Sequence, residues 1–284
     1  MSRTYARRSL IPGVAIVLAL VLAALACAHA PKAGANAAQG TARLEDVLAR
    51  ADKERSSGRP MLAIFDIDGT ILDPSPRTRD ILAAALDGPG AVVNPEQPEM
   101  AQRVRAVPLE TMPYEPESTL ALAGIRDTAW VRALMTRWSQ DFFSNRFLLR
   151  DTAIPGAVPY LDSLHAHGVT IVYFTGRDAP RMLGGTAASL LERGFPVGIA
   201  GTMLVLKPDK KVPDFDYKKN TLEDLARYGT VVGVFENEPR NINLLHERFP
   251  EAIAFYIDTK HSANAPPVQA GVTRLPDYTS FRPR

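Results

Sequence analysis

Short apolar runs alternating with amphipathic stretches set the rhythm of this chain from about residue 41 onward. Met61 to Phe65 is an unbroken apolar run. It is too short to carry a helical stripe, and so predicts a strand buried on both faces. Val169 to Phe174, Thr202 to Leu206, Thr230 to Phe235 and Ala252 to Ile257 read as further strands. Helical patterns fill the gaps, at Val158 to His167, Ala179 to Arg193, Tyr217 to Tyr228 and Ile242 to Arg248. One more precedes the first strand, from Thr41 to about Ser56, with Leu44, Val47 and Leu48 on one face. Strands alternating with helices of this length predict right-handed crossovers and a parallel sheet covered on both sides.

The texture changes between residues 80 and 150. Ile81 to Leu86 is helical, Gly88 to Pro116 is broken repeatedly by proline, and Asp127 to Phe143 is an amphipathic helix. Trp130 and Trp138 share its apolar face with Leu134 and read as packing residues. The expected organisation is therefore a core of residues 41–79 and 151–263, interrupted by a helical insertion at 80–150 that caps the strand ends. Residues 264–284 read as a C-terminal tail, and 28–40, rich in alanine and glycine, as a flexible tether.

The first 27 residues have a different character. Arg7 and Arg8 precede an uninterrupted apolar stretch, Val14 to Ala26, which reads as an export signal and is short for a membrane span. Cys27 follows Ala24-Leu25-Ala26. This resembles a bacterial lipoprotein signal, although Ala24 stands where leucine is usual, and it implies lipidation of Cys27 and a periplasmic, membrane-anchored protein. Cleavage after Ala28 or Ala30 is the alternative. Of 33 basic residues, Arg3, Arg7 and Arg8 would leave with the signal, and the net charge of +2 would fall to about −1. No polybasic patch stands out, so the footprint of a nucleic-acid binder is missing. Cys27 is the single cysteine, which excludes an intramolecular disulfide and a thiolate zinc site.

The chemistry gathers where strands end. Asp66 and Asp68 follow the first strand two residues apart, so at strand period both side chains point the same way. Two like charges held together suit a bound cation or a division of labour between nucleophile and acid. Other strand tips carry Thr175-Gly176-Arg177, Lys207, and Glu236-Asn237-Glu238. In a parallel sheet such tips lie along one edge and can surround one small ligand.

This set, in this order, resembles the haloacid dehalogenase-like superfamily, over roughly Met61 to Asp258 apart from the insertion. The resemblance implies an α/β fold: a Rossmann-like parallel sheet sandwiched by helices, with a mainly helical cap inserted after the first core strand. It implies a magnesium-dependent phosphatase acting on a small phosphomonoester. Asp66 would be the nucleophile that becomes an aspartyl phosphate, and Asp68 the general acid and base, a role that needs a raised pKa. Thr70 would brace the loop, and Thr175, with Gly176 and Arg177, would bind the phosphoryl group. A lysine would offset charge: Lys218, with Lys207 as alternative. Magnesium would take Asp66, the carbonyl of Asp68, and the loop of Glu236, Asn237 and Asn241, where amides stand in place of the usual aspartate. A binding protein of the same fold that has lost turnover, and a phosphotransferase using the same intermediate, are the other readings.

Overall fold

The computed structural model describes residues 42–87, 90–93 and 98–282. The export segment, the tether and Cys27 lie outside them. In chain order the elements are α1 (Leu44–Glu54), β1 (Met61–Phe65), β2 (Leu72–Asp73), α2 (Ser75–Leu86), α3 (Pro98–Arg105), α4 (Pro116–Leu122) and α5 (Thr128–Phe142). There follow β3 (Thr152–Ala153), α6 (Ala157–Ala166), β4 (Val169–Asp178), α7 (Ala179–Glu192), β5 (Thr202–Lys207) and α8 (Asp214–Tyr228). The last are β6 (Thr230–Glu236), α9 (Pro239–Arg248), β7 (Ile253–Ile257) and β8 (Thr273–Leu275).

Six strands form one sheet in the order β5-β4-β1-β6-β7-β8, with every pair parallel. Residues alternate across a strand, and β1 uses both of its faces. Met61, Ala63 and Phe65 enter one core with α1 and α6, while Leu62 and Ile64 enter another with α8 and α9. That is why its five residues are all apolar and all buried. Phe65 lies opposite Tyr173 of β4 and Phe235 of β6, so the residues that follow these three emerge together at one edge. The Phe65 and Phe235 rings stack with centroids 4.2 Å apart directly below that edge. Burial of each such ring contributes roughly 1.5–3 kcal/mol.

The helical insertion leaves the sheet through β2 and returns through β3, which pair antiparallel with Leu72 opposite Ala153. Its helices α2 to α5 have a core of their own, with Leu82, Val104, Leu120 and Leu134 at its centre. The insertion begins sooner than the sequence pattern predicts, because Pro76 starts α2 at Ser75 rather than near residue 80.

One expectation is corrected outright. Residues 264–284 are not a tail outside the core: β8 is the sixth strand, and Tyr278 and Phe281 are buried. Tyr278 stacks on Tyr160 of α6 at 5.6 Å, and Phe281 meets the same ring edge-on at 5.0 Å.

Candidate active site

The loop after β1 is wound around one backbone oxygen. The carbonyl of Ile67 accepts from the amides of Thr70, Ile71 and Leu72 at 3.2, 3.0 and 2.9 Å, and the Gly69 amide donates to Leu72 at 2.7 Å. Gly69 has φ +80°, and a Cβ there would fall 2.2 Å from Asn237 Nδ2. Only glycine allows both the turn and the close approach of the β6 loop. Asp66 and Asp68 thus leave a rigid loop, yet enter different surroundings.

Asp66 sits with two other charges. Lys218, on α8, donates to Asp66 Oδ1 at 2.8 Å and to Glu236 Oε2 at 2.5 Å, and all three residues are buried. Thr70 Oγ1 reaches Asp66 Oδ2 at 3.4 Å and Asn237 Oδ1 at 3.2 Å. Burial first, and then the nearby Glu236 charge, push the Asp66 carboxyl up to about 7 against the pull of Lys218. Burial would lower the Lys218 ammonium, but Asp66 and Glu236 outweigh it and hold the proton on. Of the two candidate lysines, Lys218 is therefore the one at Asp66. Lys207, at the end of β5, pairs with Asp214 instead.

Asp68 sits in a second cluster. Arg177 grips it with two bonds, Nε to Oδ2 at 2.8 Å and Nη2 to Oδ1 at 2.7 Å, and Arg77 of α2 adds a third at 2.5 Å. Asp151 completes a quartet: Arg177 Nη2 donates to its Oδ2 at 2.7 Å, and Arg77 Nε lies 3.0 Å from its Oδ1. Burial pushes the Asp68 carboxyl up, but the charges of Arg177 and Arg77 overcome it and hold it well below the usual carboxylate range. This reverses the raised pKa that the sequence led us to expect. Arg177 is expected to bind the phosphoryl group, but its donors are taken by Asp68, Asp151 and Thr186. Asp178 is held by Arg181.

Arg77 and Asp151 were missed in the sequence. Each stands at one crossing of the insertion, Arg77 just after β2 and Asp151 just before β3, and no motif spacing links them.

A cavity of about 660 Å³ opens over the strand edge, lined at its base by Asp66, Asp68, Thr175, Gly176, Lys218 and Glu236. Thr175 is buried, and its Oγ1 accepts from the Arg177 amide at 3.2 Å. Gly176 leaves space for Asp214, whose carboxylate would be 2.6 Å from a Cβ. Asn241 also lines the cavity. Glu238 stands at the N-cap of α9 without a side-chain capping bond; its carboxylate accepts from Ser262 at 3.1 and 2.8 Å. The wall opposite comes from the insertion, including Trp138, which thus serves the cavity as well as the insertion's core.

Among the described residues no group of three or more His, Cys, Asp or Glu gathers as a metal cage. A smaller donor set still fits magnesium, which takes oxygen ligands, keeps several waters and needs few carboxylates. Asp66 and Glu236 are two buried carboxylates answered by a single ammonium, an excess of negative charge reflected in the raised Asp66 carboxyl. The Asn237 amide oxygen lies on the same Thr70 hydroxyl as Asp66. Asp66, the Asp68 carbonyl, Glu236 and Asn237 would hold the ion.

Comparison with curated protein sequences finds no match. Among solved structures, a class C acid phosphatase from Bacillus anthracis with tungstate bound shares 15% identity over 70% of this chain, with a TM-score of 0.37. This chain spans 62% of that protein's length. A haloacid dehalogenase-like family protein from Streptococcus pneumoniae shares 12% identity over 77% of this chain and 94% of its own, with a TM-score of 0.43. These likenesses are distant, and no argument about activity rests on them. The family model for haloacid dehalogenase-like hydrolases matches residues 60–252, a span that holds the whole arrangement around Asp66 and Asp68. The chain belongs to the haloacid dehalogenase-like hydrolases.

Proposed function

We propose that this protein is a magnesium-dependent phosphatase that hydrolyses a small phosphomonoester through an aspartyl phosphate on Asp66. The observation that carries this reading is the meeting of Asp66, Lys218 and Glu236 at the base of the cavity. An Asp66 oxygen attacks phosphorus and the ester oxygen leaves; water then attacks the aspartyl phosphate, releasing phosphate and restoring the carboxylate. Lys218 offsets charge on Asp66 and on the phosphoryl oxygens, and Thr175 offers them a hydroxyl. A bound magnesium ion supplies further neutralisation of phosphoryl charge.

Asp68 serves as the proton carrier. Clamped by two arginines it is in the base form, which suits removal of a proton from the attacking water. Donation to the leaving oxygen requires a looser grip, which a shift of Arg77, carried by the insertion, would give. Residues 1–27 are read as an export signal and Cys27 as a lipidated anchor, on the apolar run and the cysteine at its end.

Purified protein incubated with p-nitrophenyl phosphate and magnesium tests the first reading. Turnover that needs magnesium and disappears in Asp66→Asn supports it; a folded protein inert on a broad panel of phosphoesters sinks it. Labelling of wild type, but not of Cys27→Ser, by a radioactive fatty acid tests the anchor.

A further inference from the structure

The phosphatase reading says nothing of the alcohol that leaves, and the two ends of the cavity differ in a way that does. The base holds the charges that face a phosphoryl group. The wall from the insertion is apolar and aromatic, formed by Met112, Tyr114, Met135, Trp138, Phe142 and Phe143. Trp138 and Phe142 stack at 4.5 Å, and Phe143 meets both edge-on, at 6.0 and 5.1 Å, so these rings form one surface.

Arg77 already covers one face of Phe142 at 3.9 Å and Arg181 stands 6.0 Å from Phe143, whereas the exposed charge toward the cavity is mainly acidic. Glu110, Glu115 and Glu117 lie at the cavity and are exposed, and among the described residues none of them forms an ion pair with a basic side chain. Glu238 and Asp73 add to them. The basic residues lining the cavity are Arg177, Lys218 and Lys260. The first two are committed to acids at the base. Lys260 donates to Ser75 Oγ at 2.5 Å and to the Leu109 carbonyl at 2.7 Å, where it faces Asp73 and Glu110 and offsets part of their charge.

We infer that the substrate is the phosphomonoester of an alcohol with an apolar body and a cationic, ammonium-type end. The phosphate faces the strand tips, and the ammonium rests on the aromatic wall beneath the glutamates. Aromatic faces attract alkylammonium groups, and a cleft lined by one sign of charge concentrates ligands of the other. An alcohol bearing a carboxylate or second phosphate would meet Glu115, Glu117 and Glu238, which among the described residues form no ion pair. This inference rests on the phosphatase reading above and adds to it the identity of the leaving group.

The test compares kcat/KM of the full-length protein, with magnesium, for phosphocholine, p-nitrophenyl phosphate and 3-phosphoglycerate. Phosphocholine is expected to exceed 3-phosphoglycerate by about tenfold or more. In Glu115→Gln/Glu117→Gln that ratio should fall by about fivefold. Equal or better turnover of 3-phosphoglycerate overturns the inference, as does an unmoved ratio in the folded variant. If p-nitrophenyl phosphate and both other esters are inert, the phosphatase reading is what fails. Calorimetric binding of phosphocholine and 3-phosphoglycerate to the wild type then decides the inference separately: tighter phosphocholine supports it, and equal or weaker phosphocholine overturns it.

Discussion

Two clusters of buried charge stand two residues apart on one loop, and they are balanced differently. Around Asp68, two acids face two arginines, and every charge has a partner of opposite sign. Around Asp66, two acids share one lysine. A balanced cluster is complete in itself, and its cost is mainly desolvation. An unbalanced one is a place prepared for something positive, and burial together with the Glu236 charge pushes its Asp66 carboxyl up to about 7. The difference also follows the architecture. The unbalanced cluster is built from β1, β6 and α8, all within the core, whereas the balanced one draws Arg77 and Asp151 from the two crossings of the insertion.

The sharpest way to break the comparison is to remove the acid at the centre of each cluster. Asp66→Asn should lower phosphatase turnover by ~10³-fold or more, and Asp68→Asn by roughly 10²–10⁴-fold. Single-turnover assays would then find no phosphoenzyme in the first variant. Next in size is stability. Asp151→Asn leaves two buried arginines facing one carboxylate, and should cost about 3–5 kcal/mol in urea denaturation. Arg77→Met together with Asp151→Leu should recover most of that loss, because the pair leaves together. If the double variant is no more stable than Asp151→Asn, the balance argument is wrong.

Lys218→Met is expected to cost ~10² in kcat. Lys207→Met, at a lysine that pairs with Asp214, should change kcat far less. Equal losses would erase the assignment of Lys218 to the site.

The pH dependence has opposite signs in the two clusters. A carboxyl raised on folding, as at Asp66, adds stability that is full below its ordinary value of 3.8 and is lost as pH rises through about 7. A carboxyl lowered on folding, as at Asp68, adds stability above its ordinary value that is lost only as pH falls below it. In chelator, Asp66→Asn should therefore gain melting temperature relative to wild type between pH 5 and pH 8. A constant offset between the two proteins would count against a raised Asp66. The smallest effect expected is at Asn237. Asn237→Asp should tighten magnesium binding severalfold by calorimetry, since it adds a third carboxylate, though it forfeits the amide bond to the Lys260 carbonyl.

The core and the centre of the site were legible because their signals are local. An apolar run that stops at Asp66 and Asp68 announces both the strand and its tip, and the periodicities of α6 to α9 need no distant partner to be recognised. Lys218 could be preferred over Lys207 only through a motif; the structure adds the reason, since α8 delivers its side chain back to β1. Arg77, Asp151 and the Asp68 grip were illegible because they exist only when the insertion's two crossings lie side by side. β8 escaped for a related reason. Three residues after a long irregular segment, Thr273-Arg274-Leu275 become a strand only where β7 offers an edge.

The strand β8 and the segment after it bear on how the fold closes. Tyr278 and Phe281 close over Tyr160, which itself packs on Phe65 and Phe235 beneath the site. The hydrophobic interior under the first strand is therefore finished by residues far along the chain from it. Until that segment docks, β7 is an open sheet edge and the aromatic floor is uncovered, both invitations to non-native pairing. A substitution at Tyr278 or Phe281 thus acts on the centre of the molecule rather than on its periphery.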